Sequence, residues 1–122
     1  MEHKKNILVI DDEEGIRKLL KDVLTSEGYA VTTASDGLEG IELAVKGSYD
    51  AVICDMKMPK ASGFDVLDVV KKAGRNLKVI LITGFHTDEE LKLIREKGVF
   101  GFLPKPFTLD DVFEVVRKAL NS

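Results

Sequence analysis

The feature that most constrains this chain is a rhythm. Short, continuously apolar runs alternate with amphipathic stretches from one end to the other. The runs are Ile7–Ile10, Ala51–Cys54, Val79–Ile82 and Phe100–Leu103. Val, Ile and Phe dominate them, which favours strands. Unbroken apolarity, as opposed to strict alternation, marks strands covered on both faces, as in a parallel sheet. Tyr29–Ala34 is a further strand candidate. Its Val31 followed by Thr32 and Thr33 reads as half-exposed, which places it at an edge.

Helical periods fill the gaps. Ile16, Leu19, Leu20, Val23 and Leu24 recur on one face of a helix, and Gly28 follows where a C-terminal glycine belongs. Leu38, Ile41 and Val45 mark a second helix closed by Gly47, and Phe64, Leu67 and Val70 a third closed by Gly74. Leu91 and Ile94 mark a fourth that ends at Gly98, with Thr87 and Glu90 spaced as a capping box at its start. Leu109, Val112, Phe113, Val116 and Leu120 mark the last, capped by Thr108. Five β-α units in succession imply an α/β protein, doubly wound, with helices on both faces of a parallel sheet and right-handed crossovers. At 122 residues the chain is expected to be one domain over 1–122, with no effector domain in it.

Composition narrows the function. With 18 basic and 21 acidic residues the net charge is −3, so no basic footprint for direct nucleic-acid binding is expected. The single cysteine, Cys54, excludes an internal disulfide and a cysteine-based zinc site and reads as a small buried hydrophobe. The two histidines, His3 and His86, are too scattered for a metal cluster, and His86 reads as a surface loop residue. No apolar run exceeds four residues, so no membrane insertion is expected and a cytoplasmic location is the simplest expectation.

In a parallel α/β sheet, ligands bind outside the carboxyl ends of the strands. The first run ends in Asp11-Asp12, the third strand in Asp55, the fourth in Thr83, and the fifth near Lys105 and Pro106. Three carboxylates, a hydroxyl and an ammonium thus fall on one sheet edge. Crowded carboxylates resist ionisation, and a bound cation relieves them. With no thiolate or imidazole at hand the ligands are hard oxygens, which suits Mg²⁺ bridging to a phosphoryl group. An aspartate can also act as a nucleophile and form an aspartyl phosphate. Asp55, alone at the end of a central strand, is best placed as acceptor, and Asp11 and Asp12 as metal binders. Lys105 supplies positive charge to phosphoryl oxygens and Thr83 a hydrogen bond. Glu13 and Glu14 read as acids complementing a helix N-terminus.

Asp11-Asp12, Asp55-Met56-Lys57-Met58-Pro59 with Gly63, Thr83-Gly84 and Lys105-Pro106-Phe107 together resemble the receiver domain of bacterial two-component response regulators. The resemblance covers the whole chain, in order. It implies the CheY-like, flavodoxin-like (βα)5 fold, with a five-stranded parallel sheet of order 2-1-3-4-5. The implied activity is phosphoryl transfer from a histidine kinase, or from a phosphotransfer histidine domain, to Asp55. Asp12 and Asp55 would be direct Mg²⁺ ligands, Mn²⁺ being a possible substitute, with Asp11 acting mainly through water and the Lys57 backbone carbonyl completing the protein ligands. Thr83 and Lys105 would sense the phosphoryl group, Phe102 would be the switch aromatic, and the Lys105–Pro106 bond would be cis and aim the lysine. The kinase side would dock near Gly15, Ile16, Leu19, Pro106 and Phe107, and a downstream target would read the fourth helix, fifth strand and fifth helix. Such a domain is a signalling switch and not an enzyme acting on external substrate.

Lys57 and Phe85 depart from the commonest pattern of the family, and Phe85 is expected to shield the site and lengthen the phosphorylated state. Among rivals, a haloacid-dehalogenase-like phosphatase would need a second aspartate two residues past the nucleophile, where Lys57 stands. A scaffold that binds partners without phosphorylation would not need the acid cluster. A Rossmann nucleotide binder would need G-x-G-x-x-G after the first strand, which is lacking.

Overall fold

The computed structural model describes residues 4–58, 60–74, 77–84 and 87–121. Strands and helices alternate along them: β1 (Asn6–Ile10), α1 (Glu14–Ser26), β2 (Ala30–Ala34), α2 (Gly37–Lys46), β3 (Ala51–Asp55), α3 (Gly63–Lys72), β4 (Lys78–Thr83), α4 (Asp88–Glu96), β5 (Gly101–Pro104) and α5 (Leu109–Leu120). The strands form one parallel sheet in the order β2-β1-β3-β4-β5. This is the flavodoxin-like receiver arrangement, with β2 at an edge as its threonines suggested.

The strand period of two distributes the apolar runs to both faces. Ile7, Val9, Ile53, Ile80, Ile82 and Leu103 pack with Leu20 and Leu24 of α1 and Val112, Val116 and Ala119 of α5. Leu8, Ile10, Val52, Cys54 and Leu81 pack on the other side with Ala44 of α2, Val66, Leu67 and Val70 of α3, and Ile94 of α4. β3, central in the sheet, is buried at every residue. Each fully buried Ile or Leu contributes about 1.5–3 kcal/mol, so the middle of the sheet is a firm support for whatever its strand ends carry.

The helices stop where their glycines indicate. Gly28, Gly74 and Gly98 take φ of 93°, 70° and 75°, one residue past the caps of α1, α3 and α4. That left-handed conformation closes a helix and costs glycine nothing.

Some expectations shift. β5 is Gly101–Pro104, one residue later than the apolar run suggested, and Phe100 is exposed with Lys78 Nζ 5.8 Å from its ring centre. Leu38 and Leu109 belong to the apolar periods of α2 and α5, yet they are exposed. Both lie in the first turn of a helix that starts at the carboxyl edge, where the turn overhangs the strands and has no sheet to cover it. Leu19, placed on the apolar face of α1, is also exposed, while Leu20 and Leu24 are buried. Complete capping boxes occur at Ser62–Asp65 on α3 and Thr108–Asp111 on α5. The Thr87–Glu90 box is only half made: Thr87 Oγ1 accepts from the Glu90 N–H at 3.1 Å, without the return bond. Glu90 turns its carboxylate elsewhere, as described below. No helix among the described residues is long and apolar enough to cross a membrane.

Candidate functional site

Parallel strands bring their carboxyl ends to one edge, and there the polar residues converge. Asp11 follows β1 directly. Its N–H donates to the Ala34 carbonyl at 3.2 Å, its carbonyl accepts from Arg17 at 2.8 Å, and its Oδ1 accepts from the Glu13 N–H at 2.9 Å. The other carboxylate oxygen, Oδ2, is buried without a partner. Asp55 ends β3; its Oδ1 accepts weakly from the Lys57 N–H at 3.4 Å. Thr83 ends β4 and leaves its hydroxyl buried and unpaired. Its carbonyl accepts from the Lys105 N–H at 2.7 Å, which holds the segment after β5 against the end of β4. The Lys105–Pro106 peptide bond is cis.

From there the Lys105 ammonium reaches 3.9 Å from Asp55 Oδ2 and 3.4 Å from Glu13 Oε1. Asp11 is 0 % exposed, Thr83 1 % and Asp55 6 %. Asp12, Glu13, Asp55, Lys57, Thr83 and Lys105 share one pocket of about 230 Å³, whose lining Met56, Gly84 and Glu90 complete.

The electrostatics follow from this burial. Desolvation pushes the Asp11 carboxyl up to about 6, against the Glu13 N–H bond that favours its charge, and the nearby Asp55 carboxylate adds to the rise. Asp55 is raised as well, first by burial, with Lys105 and the Lys57 N–H opposing and Asp12 and Glu13 assisting. For Lys105, burial disfavours the charge, but Asp55, Asp11 and Glu13 together outweigh it and raise its pKa. Burial also raises the Cys54 thiol.

One carboxylate oxygen from each of Asp11, Asp12 and Asp55 lies within 4.8 Å of the others. An all-oxygen donor set, an orphaned buried oxygen and carboxyls that resist ionisation together fit a hard divalent cation. The chemistry on offer is cation binding beside a carboxylate that faces an ammonium and a free hydroxyl.

The sequence-predicted residues divide. Asp11, Asp12, Asp55, Thr83 and Lys105 meet at one place, with Lys57 on the pocket rim. Phe102 does not join them: it is half-buried and lines a separate cleft with Val115, Glu114 and Lys118 of α5. Ile16, Leu19, Pro106 and Phe107 line an apolar cleft that shares Gly84 and Lys105 with the site, and Gly15 is exposed nearby. Glu13 needs correcting: besides standing at the start of α1, it ion-pairs with Lys105. The Thr87-x-x-Glu90 spacing marks Glu90 only as a cap residue, and no periodic signal marks it as a pocket residue. Its capping role was legible, but its turn toward the site depends on how α4 sits. Phe85, His86, Pro59 and His3 lie outside the described residues.

The fold and this edge define a class: a doubly wound parallel sheet with an acidic, cation-ready pocket at its switch point. The chain belongs to the response regulator receiver domain family, whose model matches residues 7–117. It is 34 % identical over 116 residues to Sporulation initiation phosphotransferase F of Bacillus subtilis, covering 95 % of this chain and 94 % of that protein. It is 35 % identical over 122 residues to Transcriptional regulatory protein GlrR of Escherichia coli, covering 99 % of this chain but 28 % of that one. Against the Mycobacterium response regulator MprA it likewise spans only 50 % of the relative. Among solved structures, a response regulator receiver domain protein from Clostridium thermocellum superposes with a TM-score of 0.89 at 39 % identity, over 96 % of this chain and 94 % of the other. The receiver domain of sensor histidine kinase PA1611 from Pseudomonas aeruginosa shares the fold at a TM-score of 0.88 and 23 % identity, over 98 % and 100 % of the two chains. Its structure has a magnesium ion coordinated in the active site cleft. The chain is thus a phosphorylation-activated signalling domain of two-component systems.

Proposed function

We propose that Asp55 accepts a phosphoryl group from the phosphohistidine of a sensor histidine kinase or phosphotransfer protein. Asp11, Asp12, Asp55 and the Lys57 backbone carbonyl would hold Mg²⁺, with Mn²⁺ as a substitute. The bound cation would neutralise charge on the phosphoryl oxygens. In transfer, an Asp55 carboxylate oxygen bonds to phosphorus as the histidine P–N bond breaks, and the imidazole leaves with that electron pair and takes a proton from water. Lys105 faces the oxygens that gain charge. The Thr83 hydroxyl, unpaired at rest, donates to one of them. The new group carries about −1.5 to −2 charge, which draws Thr83 and Lys105 together and shifts the balance of the segments they hold.

The domain so read assists only its own phosphorylation and dephosphorylation. Phe102 follows as the switch side chain, and the α4-β5-α5 face as the surface read by a downstream target. Ile16, Leu19, Pro106 and Phe107, with Gly15 beside them, form the apolar docking patch for the phosphoryl donor. A cytoplasmic location accords with such a donor, and neither nucleic-acid contact nor membrane insertion forms part of this reading. The observation that carries it is the meeting of three carboxylates with Lys105 and Thr83 around one pocket.

The test is incubation with Mg²⁺ and acetyl phosphate, followed by intact-mass measurement. Wild type gains one base-labile phosphoryl group and Asp55→Asn gains none. Wild type without a mass increase, or an Asp55→Asn protein that still gains one, would overturn the reading.

A further inference from the structure

Glycine is a poor helix former, yet α2 begins at Gly37 and carries Gly40 one turn on, both of them buried. A β-carbon at position 40 would stand 2.8 Å from Ile10 Cγ1 and Cγ2, so this face of α2 lies close on β1. A β-carbon at position 37 would meet a different element. It would run into the Ala61 carbonyl oxygen, and would stand 2.8 Å from the Ala61 carbonyl carbon and 2.6 Å from its methyl carbon. The carbonyl is backbone, which no change of rotamer moves aside. Ala61, itself buried, lies in the loop from β3 to α3. Both ends of that loop are tied. The Met56 N–H donates to the Ile82 carbonyl at 3.0 Å and the Gly63 N–H to the Met56 carbonyl at 3.0 Å, while Ser62 is held in the capping box of α3. Between the ties, Lys57 and Lys60 are exposed. Lys60 has a φ of 73°, a left-handed conformation that a residue other than glycine keeps only where its surroundings impose it. Its ammonium stands 3.5 Å from Asp36 Oδ2, and ion pairs this open to water contribute little. Ala61 packed on Gly37 is a buried contact, and it constrains the very next residue of the chain.

We propose that Gly37 is a positioning residue for the cation: its missing side chain lets Ala61 seat against the first turn of α2, and that seat holds the loop segment that carries the Lys57 carbonyl. The proposal rests on that carbonyl being a Mg²⁺ ligand, as read above. A side chain at position 37 would force α2 and the loop apart. α2 is the firmer of the two, since Gly40 and Ala44 keep it on the sheet, whereas the loop is exposed on its outer side. The loop therefore yields, and Lys57 moves with it while Asp11, Asp12 and Asp55 stay at their strand ends. A cation site is sensitive to such a shift, because groups that orient a ligand from outside govern affinity nearly as the ligands do. The first turn of a helix that contributes no ligand thus sets how well the pocket holds its metal.

The test is calorimetric titration of wild type, Gly37→Ala and Asp36→Asn with Mg²⁺, alongside the urea midpoint of each metal-free protein. Gly37→Ala raises the Mg²⁺ dissociation constant about 10-fold, the lower end for a group that orients a metal ligand from outside. Asp36→Asn keeps an acceptor for the Glu39 N–H and loses only the pair with Lys60, so its constant stays within about 2-fold of wild type. A Gly37→Ala protein that loses urea stability yet binds Mg²⁺ as wild type does overturns the proposal, because the contact is then packing alone. An Asp36→Asn effect as large as that of Gly37→Ala also overturns it, since charge and not contact would then seat the loop. Should Gly37→Ala fail to fold, wild type decides by NMR. Titrated with Mg²⁺, its Gly37 and Ala61 amide resonances shift with the same midpoint as that of Lys57, and a Gly37–Ala61 pair that does not move overturns the proposal. Wild type that binds no Mg²⁺ removes the cation reading and this proposal together, whereas equal binding by wild type and Gly37→Ala removes this proposal alone.

Discussion

The two edges of the sheet are made from the same strands and treat polar groups in opposite ways. At the amino edge, the Asn6 N–H donates to Asp50 Oδ2 at 2.8 Å, the Asn6 side chain donates to the Ser48 carbonyl at 3.3 Å, and the Asp50 N–H returns to the Asn6 carbonyl at 2.8 Å. At the carboxyl edge stand Asp11 Oδ2, Thr83 Oγ1 and Glu90 Oε2, buried and unpaired. Among the described residues these are all of the orphaned buried side-chain atoms. Unsatisfied groups are normally scattered and few. Their confinement to one edge shows a fold stabilised at one end and kept under electrostatic tension at the other, where a ligand can relieve it.

Cation binding should reduce the contrast most. With free Mg²⁺ at 100 times its dissociation constant, the folded state gains about 2.7 kcal/mol, measurable as a rise in the urea midpoint over an EDTA-treated sample. Asp12→Ala should lose most of that gain. In the absence of metal, Asp11→Asn should stabilise the protein by about 1–3 kcal/mol at neutral pH, because it removes a buried charge.

The pH dependence has a definite sign. The Asp11 carboxyl ionises near 3.8 when unperturbed and near 6 in the fold. Between those values the folded state holds the extra proton, so metal-free stability falls as pH rises from about 4 to 6. Asp55 shifts the same way. Urea titrations across that range should show the slope in wild type and a shallower one in Asp11→Asn.

The amino edge should respond in the opposite sense. Asp50→Ala leaves the Asn6 N–H without its acceptor and should destabilise by about 1–2 kcal/mol in the same assay. The smallest effect is expected at Thr83. Replacing its unpaired hydroxyl by a methyl in Thr83→Val should change stability by less than about 1 kcal/mol, toward greater stability. A marked loss there would show that the hydroxyl has a partner at rest and would break the contrast.

Much of this was legible in the chain because period and strand ends are local. Continuous apolar runs marked β1, β3 and β4, and the polar residue after each run fell on the site edge, since parallel strands share a direction. Leu38 and Leu109 misled because periodicity shows a face but not where a helix outruns the sheet. Thr108 is legible as a cap, but Ser62 and the return bonds of Asp65 and Asp111 are not, because aspartate, with a shorter side chain than the usual glutamate, closes both boxes. Glu13 and Glu90 were legible as helix-start acids. Their second contacts, to Lys105 and into the pocket, depend on how far apart elements come to rest, and no spacing encodes that.

Cys54 precedes Asp55 in the chain, but its side chain packs in the layer beneath α2 and α3, fully buried, with its thiol pKa raised by desolvation. The thiolate is the form that reacts with oxidants and alkylating agents, and here it is both suppressed and walled off. The chain's only sulfhydryl therefore stays silent next to its most reactive carboxylate, and the domain is insulated from redox input at this position. A cysteine introduced on the surface of α4 would be the sole target of a thiol-directed spectroscopic label.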